Sequence, residues 1–186
     1  MSGRERWLDS GLEALAAEGP GGLKIDRLVR RVGLTKGSFF HHFAGAAGYK
    51  TALLERLEAE ARGALDEAAA GPPTQGHQLL EELTAHVGRP GSGLWRPELE
   101  IALRAWSFTD GEVQQTQSRI DRQRLSGLEA IWQRLEPDPH QARIKALLPY
   151  LVAVGASMSS VVVSREELQQ VYELLLPLVP SEPRLS

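Results

Sequence analysis

The side chains best placed to do chemistry lie between Leu23 and Phe43, where Lys24, Arg27, Arg30, Arg31 and Lys36 are opposed by one acidic residue, Asp26. Such a bias suits a polyanion, because clustered cations recover binding free energy from the counterions a phosphate backbone releases. Within it, Thr35-Lys36-Gly37-Ser38 reads as a helix start. Lys36 and Ser38 there reach base edges, lysine being a natural donor to the guanine acceptors, and Gly37 lets the backbone approach closely. Thr35 is suited either to capping the helix or to contacting a phosphate, the cap being the better reading. Arg30-Arg31 taken alone describes a solvated face, but beside this turn Arg27 and Arg30 become backbone contacts. His41-His42 fails as a metal site, since adjacent helical residues point about 100° apart and no further ligand is near in sequence; phosphate contact or surface exposure remains.

Signals for catalysis are poor. Cysteine is absent, which removes disulfides, thiolate metal sites and cysteine nucleophiles together and fits a reducing cytoplasm. Gly155-Ala156-Ser157-Met158-Ser159 imitates a nucleophile elbow but lacks the last glycine and a preceding strand. Gly19-Pro20-Gly21-Gly22 lacks the Gly-Lys-Ser/Thr of a phosphate loop and reads as a turn, and Glu98 with Glu100 reads as a solvated helix face. No catalytic residue, metal or cofactor is expected.

The elements that must position the basic residues are helical. The 186 residues, 42% apolar and 24% charged, describe a soluble globular chain with room for one compact unit plus a small module. The net charge of -3 is unevenly spread: Met1 to Lys50 carries eight Lys/Arg against five Asp/Glu, leaving thirteen against nineteen for the rest. A basic module therefore precedes an acidic body. Ala146 to Ser164 has no charge, yet Pro149 and its serines make it too polar for a membrane span; a helix buried against a helix or a second subunit is the better reading. No secretory signal is expected.

No run alternates apolar and polar residues, so the expectation is an all-α protein. Helices are expected over about 4–18, then 25–32, where Ile25, Leu28, Val29 and Val32 fall at i, i+3, i+4 and i+7 and leave the arginines outside. Gly33 stops that helix, Thr35 starts a third carrying Phe39, Phe40 and Phe43, and a connector helix covers 47–70 before Gly71-Pro72-Pro73. Five further helices are expected over 74–87, 98–108, 112–135, 140–163 and 165–178, with an internal loop at 88–97 and a frayed tail at 180–186. Asp110, Asp138 ahead of Pro139, and Ser164 with Glu167 supply their starts.

Two short helices joined by a tight glycine turn present the second helix to the DNA major groove. Leu23-Lys24-Ile25-Asp26-Arg27-Leu28 and Val32-Gly33-Leu34-Thr35-Lys36-Gly37-Ser38-Phe39-Phe40-His41-His42-Phe43 resemble the N-terminal domain of TetR-type (TetR/AcrR) transcriptional regulators, over about Trp7 to Leu57. The segment Glu98 to Trp106, with Val113 and Asp121-Arg122-Gln123-Arg124, looks like the effector-domain helices of the same family.

The resemblance implies a three-helix helix-turn-helix DNA-binding domain over 1–46 and a helical effector-binding and dimerisation domain over 47–186, including the connector. Its DNA-binding set maps onto Lys24, Arg27, Arg30, Thr35, Lys36, Gly37, Ser38, Phe40, His41 and His42. Phe40 stands where the family usually has a phosphate-binding tyrosine, and Ala46 where it tends to have a lysine; Lys24, His41, His42 and Lys50 offer replacement charge. Trp95, Leu99, Leu103, Trp106, Leu128, Trp132 and Tyr150 are pocket candidates, although such residues are more often core. Leu147, Leu151, Val154, Met158, Val161, Leu168, Val171, Leu175 and Leu178 are dimer-interface candidates, although a monomer core would use the same stripes.

The expected function is a dimeric, ligand-responsive regulator, a repressor in the first instance. It binds a palindromic double-stranded operator, is released by a small-molecule effector, and sits in the bacterial cytoplasm at the nucleoid when bound. The alternative is a helical small-molecule-binding protein or enzyme on the same scaffold with weakened DNA binding, and a third possibility is a protein that only assembles.

Overall fold

The computed structural model describes residues 2–69, 96–161, 163–175 and 177. Among these the regular structure is wholly helical. The helix expected over 74–87, Gly71-Pro72-Pro73, the loop over 88–95, Trp95, Leu178 and the 180–186 tail lie outside the described residues.

Local chemistry accounts for the element ends. Helix α1 (Gly3–Glu18) begins at a capping box in which Ser2 and Glu5 satisfy each other's backbone amides. A 3-10 turn, Gly19–Leu23, follows with Pro20 in its first turn. Helix α2 (Ile25–Val32) stops at Gly33, whose left-handed φ of 70° suits glycine and whose amide donates to the Val29 carbonyl. Thr35 caps α3 (Lys36–His42) by accepting from the Ser38 amide, and α4 covers Gly45–Ala69. Helix α5 (Pro97–Ser107) opens on proline. Asp110 accepts from the Glu112 and Val113 amides at the start of α6 (Gly111–Trp132). Asp138 caps α7 (Pro139–Met158), and Ser164 with Glu167 forms the capping box of α8 (Arg165–Glu173).

Most ends lie within three residues of those expected, but two helices are shorter. Helix α7 ends at Met158 instead of Val163, because Ser159 turns extended and its hydroxyl accepts from the Val161 amide. Helix α8 ends at Glu173, four residues ahead of Pro177, which has no amide to donate to the Glu173 carbonyl.

The described residues divide into two compact units, the first drawn from Met1–Glu60 and Arg96–Arg119, the second from Ala61–Trp95 and Ile120–Ser186. In the first, α1 packs on α2, α3, the 3-10 turn and α5. Its core includes Trp7, Leu15, Leu28, Phe39, Tyr49, Leu53 and Val113, all essentially inaccessible. Phe39 is the hub, with ring centroids 5.2–5.3 Å from Trp7, Phe43 and Tyr49 in the tilted and edge-on arrangements aromatic quadrupoles favour. Tyr49 is buried and donates its hydroxyl to the Trp7 carbonyl at 2.7 Å. Gly11 makes room for it: a Cβ there would lie 2.0 Å from the Tyr49 hydroxyl oxygen. In the second unit Ile131, Trp132, Leu135, Ala142 and Ala146 form the core with Leu125 and Leu128 against it, and Tyr172 donates to the Pro149 carbonyl at 2.9 Å.

Candidate nucleic-acid interface

Helices α2 and α3 are held to the first unit by buried apolar residues, which leaves their polar faces outside. Leu28 and Phe39 anchor them. Arg6 ties the end of α2 to α1 by donating to the Val32 carbonyl at 3.3 Å, and the Trp7 indole donates to the Ser38 hydroxyl at 3.4 Å. Lys24, Arg27, Arg30, Thr35, Lys36, Gly37, Phe40 and His41 are exposed, whereas Ser38 and His42 are half-buried. The two histidines therefore differ: the His42 ring nitrogen Nε2 would lie 2.8 Å from a Cβ at Gly3, so His42 packs against the start of α1. Phe40 is 57% exposed, edge-on to Phe39. An exposed phenyl on this helix lacks the hydroxyl for a phosphate and suits apolar contact with a thymine methyl.

The cations are not loose. Glu18, at the end of α1, accepts from Arg27 at 2.7 Å and from Arg31 at 2.6 Å, and both arginines hold its carboxyl below the ordinary range. Lys36 Nζ lies 2.6 Å from Asp26 Oδ1; the Lys36 hydrogen bond and charge, with Arg30 nearby, hold the Asp26 carboxyl low as well. Arg30 donates to the Asp26 carbonyl at 3.1 Å, and the Arg4 guanidinium stands 5.7 Å over the Phe43 ring. Sequence reasoning missed these carboxylate partners. Their signal was the placement of Asp26 in the first turn of α2, opposite the first turn of α3. Lys50, offered from sequence as replacement charge, is bound instead to Asp110 at 3.0 Å and Glu112 at 2.8 Å.

The six described pocket candidates fall three in each unit. Leu99 and Leu103 are buried in the first and Trp106 is half-buried there; Leu128 and Trp132 belong to the apolar core of the second, with Tyr150 half-buried. The Trp132 indole nitrogen is buried without an acceptor among the described residues. Of the dimer candidates, Leu151, Met158, Val161 and Val171 are exposed, Leu147, Val154 and Leu175 half-buried, and Leu168 buried. Ile144, Leu148 and Leu174, which sequence reasoning passed over, are exposed too. Among the described residues no group of three or more His, Cys, Asp or Glu could hold a metal ion, and no helix is long and apolar enough to cross a membrane.

Helices α1 to α3 thus make a helix-turn-helix with a basic outer face, the architecture of a DNA-reading protein. Residues 8–57 match the sequence model of the bacterial regulatory proteins of the tetR family. The fold of the whole is shared with solved regulators. The reduced form of NemR from E. coli superposes with a TM-score of 0.74 at 19% identity, covering 99% of this chain and 100% of that one. A TetR-family transcriptional regulator from Streptomyces coelicolor gives 0.75 at 16% identity, covering 98% and 91%. A transcriptional regulator from Rhodococcus sp. Rha1 gives 0.69 at 18%, covering 96% of each. No curated protein matches the chain.

Proposed function

We propose that the protein is a ligand-responsive transcriptional repressor of the bacterial cytoplasm that binds a palindromic operator as a homodimer and leaves it when a small-molecule effector binds. The observation that carries this reading is the exposed basic face of α2 and α3 within the family-matched segment. Lys36 serves base readout at the start of α3, with Phe40 beside it; Lys24, Arg27, Arg30, Thr35, Gly37, Ser38, His41 and His42 supply positioning contacts. One such helix covers too few base pairs for useful specificity, and a two-fold partner doubles the readout with half-sites about 34–36 Å apart. Leu151, Met158, Val161 and Val171, exposed on or next to α7 and α8, support pairing there, because a second copy would remove their apolar surface from water. The effector acts from the helical domain over 47–186 and must bind the released conformation more tightly than the DNA-bound one. No catalytic step, metal or cofactor enters this reading. The rival, a small-molecule-binding protein with weakened DNA affinity, is favoured by Phe40 and by the pairing of Arg27 and Lys36.

Selection from a random duplex pool tests the reading. A palindrome should emerge, and Lys36→Ala should relax preference at one position per half-site while costing about 1–3 kcal/mol. A pool with no enriched sequence sinks the regulator and leaves the rival. Leu151→Asp should leave the protein folded but monomeric by light scattering and weaken its grip on the palindrome; a monomeric wild type that holds the full palindrome tightly refutes the dimer.

A further inference from the structure

The reading face carries an anion where an anion is unfavourable for DNA binding. Asp26 is 72% exposed and Lys36 60% exposed, so neither is driven together by burial, yet they are 2.6 Å apart. Asp26 stands in the first turn of α2, where a carboxylate suits the helix dipole, and Lys36 in the first turn of α3, where a cation does not. Arg27 and Arg31 have their own partner in Glu18, and Arg30 reaches the Asp26 backbone carbonyl. Lys36 is therefore the cation that the Asp26 carboxylate holds.

We propose that Asp26 is a specificity-determining residue: its pairing with Lys36 on the free protein keeps that lysine from serving as a general phosphate contact, so that only a base pair offering better acceptors draws it away. The inference rests on the DNA-binding reading above. In a non-specific complex, moving Lys36 to a phosphate exchanges one anion for another and strands Asp26 beside the polyanion, so the pair stays closed and one phosphate contact is not made. At the operator, the docked helix brings Lys36 to the two fixed O6 and N7 acceptors of a guanine, which a random sequence does not present at that place, so the solvent-exposed pair opens there and stays closed elsewhere. The pair thus suppresses sequence-independent binding more than specific binding. Because the competing non-specific sites in a genome number in the millions, that ratio governs occupancy.

Binding of the full-length protein to a random-sequence duplex and to the selected palindrome, at several salt concentrations, tests this with wild type, Asp26→Asn, Lys36→Ala and the double variant. Asp26→Asn should steepen the log–log salt dependence on the random duplex by about 0.9, worth roughly 3.5-fold in affinity between 50 and 200 mM salt. Affinity for the palindrome should rise less, so that the specificity ratio falls. In the Lys36→Ala background the Asp26→Asn effect should vanish. A gain that persists there belongs to Arg30 or to net charge and overturns the proposal, as does an unchanged slope in a wild type that binds DNA. A wild type that binds neither duplex at low salt overturns the DNA-binding reading together with it.

Discussion

The first unit and the second solve the same problem, holding helices together, with different side chains. In the first, four aromatic rings from α1, α3, the residue after it and α4 close on one another, and the apolar residues of α2 and α3 are turned inward apart from Phe40. In the second, the described core cluster of Ile131, Trp132, Leu135, Ala142 and Ala146 is mostly aliphatic, and Leu148, Leu151, Met158, Val161, Val171 and Leu174 are in contact with solvent. The face of α2 and α3 buries its apolar residues and keeps its cations outside, while Ile101 and Phe108 of the same unit are exposed on and just after α5. The proposal above gives reading to that face and pairing to the exposed apolar residues on and next to α7 and α8.

The sharpest way to break that comparison is at Phe39. It is fully buried among Trp7, Phe43 and Tyr49, so Phe39→Ala should cost about 3–5 kcal/mol, with denaturant unfolding as the measure. Leu148→Ala in the second unit, on an exposed side chain, should change monomer stability by no more than about 0.5 kcal/mol. Equal losses at the two positions would show that both units are closed cores. A smaller effect is expected at Gly11, where an added methyl collides with the Tyr49 hydroxyl. Gly11→Ala should cost about 1–3 kcal/mol by overpacking. Tyr49→Phe removes the closest clash and the bond to the Trp7 carbonyl, leaving the ring carbon Cζ at 3.0 Å and Leu53 at 3.1 Å, so the double variant should lose less than the two single losses added together. Strict additivity would mean that the backbone of α1, not the hydroxyl, absorbs the methyl.

How far the sequence announced this structure follows from what each feature depends on. The starts at Thr35, Asp110, Asp138 and Ser164 were legible because capping is local: a side-chain oxygen and an amide two or three residues on suffice. So was the stop at Gly33. The early end of α7 was not, because its residues are apolar enough to continue a helix and the break is carried by one serine hydroxyl. At the interface, the exposed positions of Lys24, Arg27, Arg30 and Lys36 follow from the 3.6-residue period of α2 and the cap of α3. Their pairing with Glu18 and Asp26 joins residues nine to thirteen apart on different helices, which no period encodes. The pocket candidates were chosen for size and apolarity, and those properties describe core residues such as Leu99 and Trp132 equally well.

The smallest expected effect separates the polar ties of the two units. In the first, Lys50 of α4 lies between Asp110 and Glu112 at the start of α6; in the second, Lys145 pairs with Glu136 at 2.7 Å and stands 5.6 Å over the Trp132 ring. All are partly exposed, so each tie should be worth no more than about 1 kcal/mol, with Lys50→Met costing more than Lys145→Met because two carboxylates lose their cation. The hydrogen bond from Lys50 is the leading reason that both Asp110 and Glu112 sit below their ordinary values of 3.8 and 4.5, while Lys50 is raised above 10.5 by the same partners. Depressed carboxylates add stability that is complete above their unfolded values and is lost as pH falls through the folded ones; the raised lysine adds stability that is complete below 10.5 and is lost only as pH rises past its higher folded value. The stability gap between wild type and Lys50→Met should therefore be flat between about pH 6 and 8 and should close below about pH 4.5. Urea midpoints across that range, at low salt, decide it. A gap that persists undiminished in acid would assign the contribution of Lys50 to the packing of its alkyl stem, and the tie between α4 and the start of α6 would then be apolar like the rest of the first unit.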